Sequence, residues 1–389
     1  MIQRISLPVQ LLIMILFTML LGSYIPTVGV RFTYTISVIL KEVLEFLLPF
    51  IIFSFVFIGL ASFKKNAPLV LAVLIGSIFI SNALVAVFSY TVALLVLPSF
   101  IDSLCAMGGS ACYQEVTPFF SFSLPKLFRG DYVLLSAIAC GLLVAFFPMP
   151  GFERTIARGK QWLEKFFTAI FIPFLPLYVL GFLLKIKHEG VFWKLVENYG
   201  SAMILIIILQ WVCIIISYLV ATGFHPAAAF TALRNSLASY LTAFGTMSST
   251  ATVPVSVECA KKNIDNPALA NMAMPILANV HLMGDSVGTP ILALVTMLAF
   301  LGHLPTLGAF LIFVWNFCLA MFGVSGVPAG GIVVMIPVLQ SVLGLTPEMT
   351  GIMMVLYILL DPFGTAANVM GDGALVMIVN KIVKKFKLA

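Results

Sequence analysis

The chain has 389 residues, 61% of them hydrophobic and only 9% charged, with a formal net charge of +6 and a mean hydropathy of +1.14. Soluble domains carry about a quarter charged residues, so this composition excludes a soluble globular protein and makes lipid the main solvent. The basic excess calls for no nucleic-acid partner, because membrane proteins retain Lys and Arg in the loops of one side. Apolar runs lie near 6–23, 35–62, 67–98, 132–149, 166–184, 201–224, 268–302 and 350–380, with shorter pieces at 237–259 and 306–342. A bilayer core takes about 20 helical residues. The runs are continuously apolar, not alternating, which argues against a transmembrane β-barrel. The expected fold class is an all-α polytopic membrane protein with eight transmembrane helices. The first run follows Met1–Arg4 without a convincing small-residue cleavage site, so it reads as the first helix and not as a signal peptide.

The loops suggest an orientation. With both termini placed in the cytoplasm, fourteen Lys and Arg fall in inside segments, among them Lys64, Lys65, Arg154, Arg158, Lys261 and Lys262. Six fall outside, including Arg31, Lys126 and Lys185. That bias supports the assumed topology. Cys105 and Cys112 share one loop and could pair if it were extracytoplasmic.

The final third of the chain differs from what precedes it. Two short segments, "GTMSSTATVPV" at 245–255 and "FGVSGVPAGGI" at 322–332, gather Ser, Thr, Gly and Pro around Val253-Pro254 and Val327-Pro328. Each reads as the tip of a re-entrant hairpin, which is tolerated at membrane depth only when buried in protein or lining a cavity. Each is followed by an apolar run with an expected break, "ANVHLMGDS" at 278–286 and "ANVMGDG" at 367–373. Close helix packing would explain the glycines but not Asp285, Asp361 and Asp372. An intramembrane carboxylate costs roughly 2.5–3.5 kcal/mol on insertion scales. Broken segments at corresponding places point to a transport site, whose N–H ends favour a substrate anion and whose carbonyl ends favour a cation. Asp372 and Asn368 suit a hard cation, and Asp361 suits an ammonium group.

In this order, "SSTATVP", a Gly-Asp-Ser break, "GVSGVP" and "D…N…GD", the sequence resembles the dicarboxylate/amino acid:cation symporters, closely over about 165–380 and more loosely before that. The resemblance implies a homotrimer in the plasma membrane, here a bacterial inner membrane, built from inverted repeats and working as an elevator. Its scaffold would comprise 1–66 (helices one and two) and 99–200 (helices four and five). Its transport core would comprise 67–98 (helix three) and 201–389 (helix six, hairpin one, helix seven, hairpin two, helix eight). By position, the resemblance implies that Ser248, Ser249 and Thr250 meet the substrate carboxylate and that Gly326, Val327 and Pro328 close over the substrate. Asp361, Gly364, Thr365 and Asn368 would complete the substrate site. Asp372, Asn368, Ala278, His281, Asp285, Ser81 and Asn82 would surround the coupling cation. That cation is expected to be Na+, in uncertain number.

Three departures shape the expected substrate and coupling. Acidic-substrate members carry an arginine three residues after the amino-binding Asp, where this chain has Gly364, and no Lys or Arg occurs in 263–380. A small neutral amino acid such as serine, threonine or alanine is therefore expected, with an acidic amino acid or dicarboxylate as the alternative. Met283 and Tyr357 stand at two usually acidic positions. His281 either caps broken backbone or substitutes a proton for part of the sodium coupling. Two other classes remain at this stage. An intramembrane aspartyl protease would need "MGD" at 283–285 and 370–372 as a facing pair, although "PAL" at 267–269 lies in the wrong order. A channel would use the 322–332 carbonyls as a filter, which lacks a repeated ladder.

Overall fold

The computed structural model describes residues 7–61, 68–99, 116–120, 123–125, 130–166, 169–170, 172–190, 192–324 and 330–386. Among these residues there are helices and no strands. Cys105, Cys112, Gly326, Val327 and Pro328 lie outside the described residues.

The first half folds around α2 (Thr27–Ala61), which packs on α4 (Gly130–Phe146), α5 (Pro150–Phe166) and α6 (Ile172–His188), while α1 (Leu7–Leu21) lies on α6. The α2–α6 crossing is close because Gly181 has no side chain. A Cβ there would collide with Ser37 Oγ and the Thr33 carbonyl. The Ser37 hydroxyl donates across the crossing to the Tyr178 carbonyl at 2.8 Å. Residues 150–166 carry no apolar run, yet they form the amphipathic helix α5. Glu153 lies in its first turn and Lys165 in its last, each at the end of the dipole that favours its charge.

The second half centres on α14 (Pro347–Phe386). It is packed by α3 (Pro68–Val96), α7 (Phe192–Ala221), α8 (Pro226–Thr246), α9 (Ser249–Asn263), α10 (Pro267–Val280), α11 (Met283–Leu301) and α13 (Gly330–Leu343). Four stretches among the described residues are long and apolar enough to cross a bilayer: Ala72–Ser99, Val196–Ala221, Pro267–Leu301 and Pro347–Phe386. Their environments differ. The most apolar windows of the last two are 83% and 78% buried within the protein, against 28% and 33% for the first two. Helices α10–α11 and α14 therefore form the interior, and α3 and α7 turn Ile80, Leu84, Ile204 and Ile208 outward, as lipid-facing surfaces require.

The first short Ser/Gly segment lies between α8 and α9, which pack on each other. Helices α8 and α9 turn at Met247, in the left-handed region (φ 51°), and Ser248 caps α9 by accepting from the Ala251 N–H at 3.2 Å. Asn263 ties the open end of this hairpin, donating to the Ala232 carbonyl at 3.0 Å and accepting from Asn235 at 2.8 Å. Helix α12 (Leu307–Met321) packs on α13 as the second pair.

The two expected breaks have different outcomes. The helix does stop at 280 and restart at 283, with His281 and Leu282 non-helical (φ/ψ −93/102 and −120/64). The "ANVMGDG" copy is not broken: α14 runs helical from 347 to 386. Its glycines serve approach instead. A Cβ on Gly371 would come within 2.9 Å of Met283 Cβ, and one on Gly373 within 2.6 Å of the Tyr218 hydroxyl.

Candidate functional site

The α10–α11 break leaves backbone groups that need partners in the interior. Two amide side chains supply them. Asn82, on α3, donates to the Val280 carbonyl and accepts from the Leu282 N–H, both at 3.2 Å. Asn368, on α14, accepts from the N–H groups of Gly284 (2.7 Å) and Asp285 (3.3 Å), taking the place of a side-chain cap on α11. Gln210, on α7, donates to the Gly284 carbonyl at 3.2 Å. The approach of α11 to α14 depends on Gly284, where a Cβ would run into the Gly364 carbonyl oxygen.

A small cavity of ≈ 20 Å³ opens beside this break, about the room of one water. Asp285, Tyr357, Asp361, Thr365 and Asn368 give it a polar wall, and Ser249 and Ala278 also line it. The Tyr357 hydroxyl donates to Asp285 Oδ1 at 2.7 Å, and the Asn368 amide donates to Asp285 Oδ2 at 3.2 Å. The Thr365 hydroxyl donates to Asp361 Oδ1 at 3.0 Å. Both carboxylates are buried.

A second cluster adjoins the first through the break. Asp372 Oδ1 lies 2.9 Å from His281 Nδ1, and His281 Nε2 lies 2.9 Å from Ser81 Oγ. An ionised Asp372 can only accept, which assigns a proton to Nδ1; on a neutral ring the Ser81 hydroxyl then donates to Nε2. Asp372 is 1% exposed, and its Oδ2 has no hydrogen-bond partner among the described residues. A buried carboxylate oxygen without a donor is costly and fits a small cation better than an apolar neighbour.

The structure thus gathers most of the residues picked from sequence, in two groups. Asp361, Thr365, Asn368, Asp285, Ala278 and Ser249 share the cavity. Asp372, His281, Ser81 and Asn82 form the adjoining cluster. Ser248 and Thr250 bond each other (3.1 Å) and are not among the residues lining the cavity, although Met247 and Ser249 are. Asn368 and Asp372 make their hydrogen bonds to different groups. The Asn368 amide is committed to α11 and Asp285, and Asp372 to His281. Gln210 was missed, although a lone amide in "ILIIILQWVCIII" is a signal that sequence carries.

Buried polar side chains gathered around a broken helix, inside an otherwise apolar bundle, define a membrane transporter. The chain belongs to the sodium:dicarboxylate symporter family, whose family model matches residues 7–382. It is 25% identical over 391 residues to the serine/threonine transporter SstT of Acinetobacter baumannii (strain AYE), covering 94% of each chain. It is also 25% identical over 299 residues to the excitatory amino acid transporter 3 of Bos taurus, covering 72% of this chain and 56% of the relative. The family and these relatives are transporters, not enzymes, which removes the protease reading.

Proposed function

We propose that the protein is a symporter coupling sodium entry to uptake of a small neutral amino acid, serine, threonine or alanine. One observation carries the substrate side of this reading. The cavity wall presents Asp285 and Asp361 with no Lys or Arg anywhere in 263–380. A substrate with a side-chain carboxylate would lack a cationic partner there and would add like charge to a buried acidic wall. Asp361 takes the substrate ammonium, and the hairpin turn with Ser249 takes its carboxylate. The unpartnered Asp372 Oδ2 supports a sodium ion in the second cluster, with Ser81 as a neighbouring oxygen donor. The name of the Acinetobacter relative, a serine/threonine transporter, agrees with the choice of substrate.

The same reading assigns 1–66 and 99–200 to a scaffold, with 67–98 and 201–389 as a core that moves across the membrane. It takes the protein as a homotrimer with cytoplasmic termini in a bacterial plasma membrane. The contacts of α2 with α4, α5 and α6, and of α14 with α3 and α7 to α11, are compatible with that division. Thermal stabilisation of the purified protein by individual amino acids in sodium, potassium or choline tests the reading. Serine, threonine or alanine should stabilise only with sodium. Stabilisation by aspartate or glutamate alone would overturn the substrate assignment. A second reading rests on the His281–Asp372 contact, with a proton replacing sodium. Uptake driven by an imposed pH gradient in sodium-free buffer would favour it.

A further inference from the structure

We propose that Asp285 determines specificity: it accepts a hydrogen bond from the substrate side chain, so the site selects amino acids whose short side chains carry a donor. This inference rests on the amino-acid reading above and narrows it. Asp361 and Asp285 both line the cavity, and a zwitterionic substrate has one ammonium to offer. If that group goes to Asp361, the second carboxylate remains to be matched by something else in the ligand.

Asp285 is held ready for such a role. Its Oδ1 receives the Tyr357 hydroxyl and its Oδ2 receives the Asn368 amide. A carboxylate offers about four lone-pair positions, so two remain after these bonds, on a side chain whose rotamer the two donors fix. The neighbouring glycines pack close to it. A Cβ on Gly364 would lie 3.6 Å from Asp285 Oδ1, and one on Gly331 would lie 3.2 Å from Oδ2 and collide with the Tyr357 hydroxyl. Glycine at these positions lets α13 and α14 pack close beside Asp285, which still lines the cavity. A hydroxyl or a short ammonium side chain would complete Asp285. A methyl group would leave it incomplete, and a carboxylate would repel it. A site built to receive a donor discriminates against analogues that lack one, because its buried acceptor is then left unpaired.

The test is competition binding to the full-length protein with sodium present, using serine, alanine, 2-aminobutyrate, 2,3-diaminopropionate and aspartate. Serine should bind at least about tenfold tighter than alanine and 2-aminobutyrate, and 2,3-diaminopropionate at least as well as serine. In Asp285→Ala the serine-to-alanine ratio should fall to near one. In Asp285→Asn serine should keep most of its advantage while 2,3-diaminopropionate loses its own. Equal binding of serine and alanine to the wild-type protein would overturn the proposal without any variant, and would leave amino-acid transport standing. A serine-to-alanine ratio unchanged in Asp285→Ala would also overturn it, as would a loss of sodium affinity with that ratio intact. If no amino acid binds the wild-type protein, the functional reading itself fails.

Discussion

Replacing Gly284 by alanine adds one methyl group where α11 meets α14, and the structure sets the cost. The new Cβ would overlap the Gly364 carbonyl oxygen and lie 2.9 Å from Ala367 Cβ and 3.0 Å from the Gly364 carbonyl carbon. Two of these are backbone atoms, which cannot swing aside, so one helix must shift. Overpacking of this kind costs about 1–3 kcal/mol. The shift would also stretch the 2.7 Å bond from the Gly284 N–H to Asn368, worth about 1 kcal/mol. Alanine's better helix propensity returns at most about 1 kcal/mol, so the balance is a loss of about 1–3 kcal/mol. Gly288, one turn along the same helix, provides the control. A Cβ there meets only Ile206 Cγ2 at 3.8 Å and Gln210 Nε2 at 4.0 Å, so alanine should stabilise by up to about 1 kcal/mol. In thermal unfolding of detergent-purified protein, Gly284→Ala should melt below wild type and Gly288→Ala at or above it. The reasoning is wrong if Gly284→Ala melts no lower than wild type, or if both variants fall equally.

Asp361→Asn should weaken amino-acid binding by tenfold or more while leaving sodium affinity within a few-fold, read by titrating each against the other; equal losses would mean that the two roles are misassigned. Tyr357→Phe removes the 2.7 Å donor to Asp285 and leaves a buried oxygen short of a partner, at a cost of about 1–3 kcal/mol, seen as earlier thermal unfolding; an unchanged melting temperature would refute it. Asp265 lies between α9 and α10, outside the membrane-spanning stretches, where the Lys384 ammonium, followed by the Asn380 amide, holds it below the ordinary carboxylate range. Its contribution is therefore present above the ordinary value and lost as pH falls through the depressed one. The stability gap between wild type and Asp265→Asn should be small and flat from pH 8 to 5, then close on further acidification; a gap that widens in acid would contradict the pairing.

Composition alone excluded a soluble fold, because no packing arrangement hides 61% hydrophobic residues from water in a chain with 9% charged ones. The break at 281–282 was legible for a related reason: a Gly, an Asp and a His together inside an apolar run are costly unless the backbone there needs them. The second copy of the motif misled because glycine has two uses. In 367–373 it admits neighbouring side chains against a continuous helix, and only the packing partners, Met283 and Tyr218, reveal this. Local sequence cannot distinguish a glycine that frees the chain from one that makes room. The amphipathic α5 escaped notice because its charges resemble those of a loop until they are read at helical spacing. The pairing of Asp285 with Tyr357 was illegible, since 72 residues separate them. The same holds for the contact between Ser81 and His281, 200 residues apart.

The amides that close the helix break come from opposite sides of it, Asn82 from α3 and Asn368 from α14. Together they act as a register pin. A helix rises about 1.5 Å per residue, so sliding α3 or α14 past α11 by a single residue would part bonds of 2.7–3.3 Å on at least one side of the break. Those bonds therefore hold α3, α11 and α14 in one register around the break.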